Sequence, residues 1–150
     1  MHTFGLPSLL LVLFLIGCTE SESPSDRQVI STEAAPEALG PYSQAIQVGN
    51  TIYCSGQIGI DPTTDSLVAG GVGAETRQAL ENLRAVLESA GFSLEDVVRT
   101  QVFLADLDDY AAMNEVYSTY FDAASPARAA VQAAGIPADA RVEITVTARK

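Results

Sequence analysis

Basic residues are scarce. Lys+Arg numbers 8 against 19 for Asp+Glu, a formal net charge of −11 with a pI near 4.2. A partner bound along a phosphate backbone needs cationic groups in quantity, so nucleic acid is excluded more firmly than one small anion in a local basic pocket. Histidine occurs once, at His2, and cysteine twice, at Cys18 and Cys54. Those counts leave no metal-ligand cluster and no disulfide framework, so neither a metal nor a cofactor is expected. Nor is there an apolar run of the ~20 residues that a membrane-spanning helix requires. The one glycine-rich motif, Gly70-Gly71-Val72-Gly73, precedes a helical pattern but follows no convincing strand, and reads as loop rather than phosphate cradle. What remains is 150 residues, 47% of them hydrophobic, enough to build one domain with a real core.

The first residues read as an address. Leu9 to Ile16 is continuously apolar, too short to span a bilayer and suited to the core of a secretory signal. It runs into Leu15-Ile16-Gly17-Cys18, which resembles the lipobox of bacterial lipoproteins, where cleavage before the cysteine precedes its acylation. The segment before it lacks Lys and Arg, unlike most signals. Residues 1–17 are therefore expected to be a signal peptide, and 18–31 a lipid-attachment cysteine followed by a polar tether. Residues 32–150 are expected to be the folded domain. Thr19 resembles the outer-membrane sorting default, which implies a lipid-anchored envelope protein on the periplasmic side, touching membrane only through its anchor. A start at Val29 instead would give a cytoplasmic protein.

From Thr32 onward, stretches of period 2 alternate with stretches of period 3.6. Ser43–Val48 and Thr51–Cys54 form a predicted hairpin across Gly49-Asn50, and a loop with room for an edge strand follows from Gly56 to Gly73. Leu80, Leu83, Val86, Leu87 and Ala90 mark an amphipathic helix capped near Gly91. A strand over Asp96–Leu104 leads to a second helix, capped by Asp106 or Asp108 and running to Phe121. Strands at Arg128–Ala133 and Arg141–Ala148 close the chain. The order ββαβαββ makes the fold α+β: a mixed sheet with two helices on one face. Two helices cannot cover both faces, so the bare one favours self-association.

Several segments carry a resemblance: Gly40-Pro41-Tyr42-Ser43-Gln44-Ala45, Ser55-Gly56-Gln57-Ile58, Asn82-Leu83, Met113-Asn114-Glu115-Val116-Tyr117, Pro126-Ala127-Arg128 and Val142-Glu143-Ile144. In that order and spacing the chain resembles the Rid (reactive intermediate deaminase, YjgF-type) family across Thr32 to Lys150. The resemblance implies a chorismate-mutase-like fold assembled as a homotrimer around a central β-barrel, with active sites in the clefts between subunits. It also implies roles. Arg128 would clamp the substrate carboxylate, for which a planar two-donor fork suits better than lysine. Glu143 would position or activate water. Tyr42, Ser55, Gly56 and Asn114 would line the cleft. Ala130 stands where many active members carry cysteine, so only its backbone would contribute.

Each residue has a plainer reading beside this one. Arg128 can be a strand-end arginine in a surface ion pair, and Glu143 a solvated carboxylate paired with Arg141 or Arg149. Tyr42 can be a core aromatic, Ser55 a turn residue and Asn114 an exposed helix residue. The implied reaction is hydrolytic deamination of small 2-imino acids or enamines, of the 2-iminopropanoate and 2-iminobutanoate type, to 2-oxo acids and ammonia. The competing reading is a non-catalytic, carboxylate-binding or holdase-like trimer. Ribonuclease activity fits poorly with a charge of −11.

Overall fold

A computed structural model describes residues 1–2, 26–121 and 124–150. The leader and Cys18 lie outside the described residues. Chain order begins with β1 (Arg27–Ile30), β2 (Ala45–Val48) and β3 (Thr51–Cys54). Three two-residue strands follow: β4 (Gln57–Ile58), β5 (Ile60–Asp61) and β6 (Ser66–Leu67). Then come α1 (Gly71–Ser89), β7 (Val97–Leu104), α2 (Tyr110–Tyr117), β8 (Ala127–Gln132) and β9 (Val142–Arg149).

The main sheet runs β1-β2-β3-β9-β7-β8, with β4 also paired to β9, while β5 and β6 form a small separate ribbon. Within the main sheet only β7 and β8 are parallel, joined by the crossover through α2. The α+β architecture read from the sequence is therefore present, with four extra short strands. One of them corrects the expected tether. Arg27–Ile30 pairs antiparallel with β2, Val29 opposite Ile46 and Ile30 opposite Ala45, so ordered structure begins inside the segment 18–31. The pairing gives the otherwise open edge of β2 a partner for its N–H and C=O groups.

Local chemistry explains the elements. Gly49 supplies the positive φ, 56°, that the two-residue hairpin needs at its first central position. α1 ends in a Schellman motif: Gly91 at φ 78° lets its N–H reach the Glu88 carbonyl while Phe92 N–H reaches Leu87. α2 is shorter than expected, closing at Tyr117 into turns whose N–H groups bond back to Asn114, Val116 and Tyr117, with Asp106 capping the 3₁₀ turn before it.

The core lies between the sheet and α1, with α2 alongside. Leu80, Leu83, Val86 and Leu87 of α1 and Met113 of α2 bury against Ile52, Val102, Leu104, Val142, Ile144 and Val146. Each such side chain contributes about 1.5–3 kcal/mol on leaving water. The opposite sheet face exposes Tyr53 and Val131, while Phe103 on that face packs with Ile58, Ile60 and Ile136 in a second, smaller apolar cluster.

Two buried amides position the loops that carry the site. Asn82 Nδ2 donates to the carbonyls of Ile58 (3.1 Å) and Ile60 (2.8 Å), holding β4 and β5 on α1. Gln44 Oε1 accepts from Thr32 N–H, and Gln44 Nε2 donates to the carbonyls of Thr32, Ala35 and Pro36, riveting the loop before β2. Leaving such buried partners unpaired costs about 1–3 kcal/mol each.

Candidate active site

The residues named from the sequence fall into two clusters. The first lies at the end of β9. Tyr42, Gly56 and Glu143 line one groove together with Pro36, Leu39, Ile58 and Pro137. Alternation along β9 turns Val142, Ile144 and Val146 into the core and Glu143 to the other face, where it is half-buried. Gly56 lies directly against its carboxylate: a Cβ there would sit 1.7 Å from Glu143 Oε1. Neither Arg141 nor Arg149 pairs with Glu143. Arg141 gives a two-pronged contact to Asp109 instead, Nε to Oδ2 and Nη2 to Oδ1, both at 2.8 Å. Without a cationic neighbour, burial pushes the Glu143 carboxyl above its ordinary value. Tyr42 is exposed rather than core, and its hydroxyl accepts the Leu39 N–H at 3.0 Å, leaving its own proton to donate. Ser55 is turned to structure, its hydroxyl donating to the Ser43 carbonyl at 2.7 Å.

The second cluster lies on the edge strand β8 and on α2. Arg128 shares a cavity of ≈ 430 Å³ with Asn114, Tyr117, Ser118, Phe121, Ser125 and Pro126. Its guanidinium stacks over the Tyr117 ring, 4.5 Å from the centroid, and donates through Nη2 to the Tyr110 hydroxyl at 3.2 Å. Among the described residues Arg128 has no carboxylate partner. A surface ion pair with a described carboxylate therefore does not hold this side chain. Ala130, two residues on, packs its methyl against the core.

One chain does not bring the clusters together. Register pairs Arg128 with Thr100 and Thr100 with Val146, which puts Arg128 on the helix-covered face. Glu143 pairs with Phe103 and lies on the other face. Two strands and three residues separate the two positions, about 14 Å at Cα, with the sheet between their side chains.

Sequence reasoning gave Tyr110 no role in the site and named Tyr117 only within the segment that carries the resemblance. Tyr110, Asn114 and Tyr117 follow i, i+4, i+7 spacing on α2, so a polar amide between two aromatics on one face was the available signal. Cys54 is a buried thiol that burial pushes up to about 12, too high to act as a nucleophile at neutral pH.

Comparison with known proteins gives a consistent answer. A family model described as Endoribonuclease L-PSP matches residues 32–150. The 2-iminobutanoate/2-iminopropanoate deaminase of Mus musculus is 54% identical over 122 residues, 81% of this chain and 90% of that protein. The human protein of the same name is 52% identical, covering 81% and 89%. Among solved structures, RidA from an Antarctic Psychrobacter superposes with TM-score 0.79 at 48% identity, covering 82% of this chain and 99% of that one. Escherichia coli TdcF, solved with bound serine, gives TM-score 0.79 at 40% identity, covering 82% and 98%.

These matches correct the cell-envelope localisation expected from the leader. The deaminases are spanned over 89–90% of their own length by 122 residues of this chain, and neither is named as a lipoprotein. Among the described residues no helix is long and apolar enough to cross a membrane. Nothing in these relatives supports a lipid anchor at Cys18.

Proposed function

Because this chain belongs to the Endoribonuclease L-PSP family, the family of the Rid and YjgF proteins it resembles, we propose that it hydrolyses small 2-imino acids and their enamine tautomers to 2-oxo acids and ammonia. The observation that carries the assignment is a pair of ionisable groups, each lining its own cavity and neither meeting an opposite charge among the described residues: the Arg128 guanidinium and the Glu143 carboxylate. The deaminase name of relatives at about half identity supports the same reaction. The serine bound to TdcF supports a small α-amino or α-imino carboxylate as the kind of ligand.

In this reading Arg128 holds the substrate carboxylate through two parallel N–H donors. The groove beside Glu143 has ≈ 40 Å³ of space, enough for one water. The raised Glu143 carboxyl is a stronger base than an ordinary glutamate, so it takes a proton as water attacks the C=N carbon. The resulting carbinolamine receives that proton on nitrogen, its hydroxyl gives up its proton to the freed Glu143 carboxylate as the C–N bond breaks, and ammonia and the 2-oxo acid leave. Tyr42 offers its hydroxyl proton to the oxygen or nitrogen that gains charge, and Gly56 keeps the carboxylate accessible. Orientation and proton transfers through one carboxylate supply the catalysis.

Since the two groups sit on opposite sheet faces, Arg128 of one subunit works with Glu143 of its neighbour. The exposed part of the sheet face carrying Tyr53 and Val131 then becomes the interior of a homotrimer, the assembly that the family resemblance implies. The test is 2-iminopropanoate hydrolysis by Arg128→Ala and Glu143→Gln variants, both expected to lose acceleration over the uncatalysed rate. Full turnover by Arg128→Ala would refute the assignment. Carboxylate binding without turnover by the unaltered protein would favour the non-catalytic reading.

A further inference from the structure

Arg128 is held by a tyrosine that the reaction above does not employ. Tyr110, the first residue of α2, brings its ring centroid to 5.8 Å from the guanidinium carbon, and its hydroxyl accepts from Nη2 at 3.2 Å. Tyr117, two turns later on the same helix face, lies beneath the guanidinium at 4.5 Å. One aromatic therefore fixes the plane of the group, and the other fixes its rotation within that plane.

The rotation matters because a guanidinium has two edges that can grip a carboxylate: Nε with Nη2, or Nη2 with Nη1. Nη2 belongs to both edges and carries two hydrogens. A hydroxyl that takes one of them closes one edge and leaves the other whole. Arg128 stands on an edge strand, and its long side chain meets no ionic partner among the described residues. Without the Tyr110 contact the fork would sample several orientations, only some offering an intact edge to the cavity.

We propose that Tyr110 is a positioning residue for substrate binding, its hydroxyl selecting which two-donor edge of Arg128 meets the incoming carboxylate. The inference rests on Arg128 being the carboxylate clamp. The Asn114 amide, one turn along α2, and the Arg128 charge draw the same phenol below its ordinary value. The phenol oxygen accepts from the guanidinium, and Asn114 lines the cavity that the guanidinium faces.

Tyr110→Phe is the test, since it keeps the ring and removes only the acceptor. With 2-iminobutanoate generated in the cuvette by an amino-acid oxidase, KM should rise about 3- to 10-fold, the effect of one lost hydrogen bond of ordinary net strength at an exposed contact. kcat should stay within about twofold, as expected when only uniform substrate binding is lost. The melting temperature should not move, and calorimetric binding of 2-oxobutanoate should weaken by the same factor as KM. An Arg128→Lys chain has a point charge with no edge to select, so adding Tyr110→Phe there should leave KM where lysine set it. A wild-type KM in Tyr110→Phe, or a fall in kcat with KM unmoved, overturns the inference. Full turnover by Arg128→Ala would instead remove the clamp itself. An inactive Arg128→Ala with a silent Tyr110→Phe would remove this inference alone.

Discussion

Two glycines three residues apart should respond in opposite ways to the same methyl group. At Gly56 a Cβ would fall 1.7 Å from Glu143 Oε1 and 2.6 Å from its Cδ, against the free end of a flexible side chain. At Gly59 it would fall 2.6 Å from the Cα and 2.7 Å from the Cβ of Glu75, against the backbone of α1. The Glu143 carboxylate can rotate away for about 0.5–1.5 kcal/mol. α1 has no such freedom, because Val72, Leu80, Leu83 and Leu87 lock it to the sheet and Glu75 accepts the Arg141 N–H at 2.7 Å. Restoring ordinary contact at Gly59 requires a shift of about 1 Å across that packing, an overpacking cost of about 1–3 kcal/mol. Gly59→Ala should therefore lower the melting temperature by about 5–15 °C. Gly56→Ala should melt within a few degrees of wild type yet lose about 100-fold in turnover, since the base no longer faces the groove. Differential scanning calorimetry and the imine-hydrolysis assay read the two effects separately. Wild-type turnover in Gly56→Ala, or equal destabilisation by both variants, would refute the reasoning.

Further consequences follow from individual contacts. Glu143 has its carboxyl raised by burial, so the folded state holds that proton more tightly than the unfolded chain. The stability cost of ionising it is absent below the ordinary value of 4.5 and grows as pH rises through the folded value. Glu143→Gln should accordingly gain in melting temperature on the wild type between pH 4 and pH 7 while losing turnover, and a gain in the opposite direction would contradict the assignment. Asn82→Ala should cost about 1–3 kcal/mol in urea denaturation by orphaning the Ile58 and Ile60 carbonyls, and should slow turnover by loosening the strand beside Gly56. Cys54, its thiol pushed up to about 12, should resist a disulfide reagent at pH 8 until the chain is unfolded, as read by thiol titration of a Cys18→Ser chain.

Much of the fold was legible because its signals are local. The β2–β3 turn announces itself in Gly49-Asn50, the α1 terminus in Gly91, and the sided character of β9 in the alternation of Val142, Ile144, Val146 and Ala148. β1 was not legible: Arg27–Ile30 is mostly exposed, carries no burial pattern, and is specified by the edge of β2 rather than by its own residues. Within Gly56–Gly73 the sequence left room for an edge strand but did not place β4 to β6, since such two-residue strands are set by the Asn82 amide and by pairing with β9 or with each other rather than by periodicity. For the site, the family resemblance pointed to Arg128 and Glu143, but their separation onto opposite faces required the register of β7, β8 and β9. Tyr110 was hidden because an aromatic at helical spacing ordinarily signals core, and only the three-dimensional course of the Arg128 side chain distinguishes it.

The claim on which the account rests is that Arg128 and Glu143 act from different subunits on one substrate. Arg128→Ala and Glu143→Gln chains, each inactive alone, can be denatured together in equal amounts and reassembled. Random mixing then gives each site a chance of about one quarter of pairing an intact arginine with a neighbour's intact glutamate. The account predicts recovery of about a quarter of wild-type imine hydrolysis. A mixture as inactive as its components, while wild type taken through the same treatment regains its activity, would contradict it.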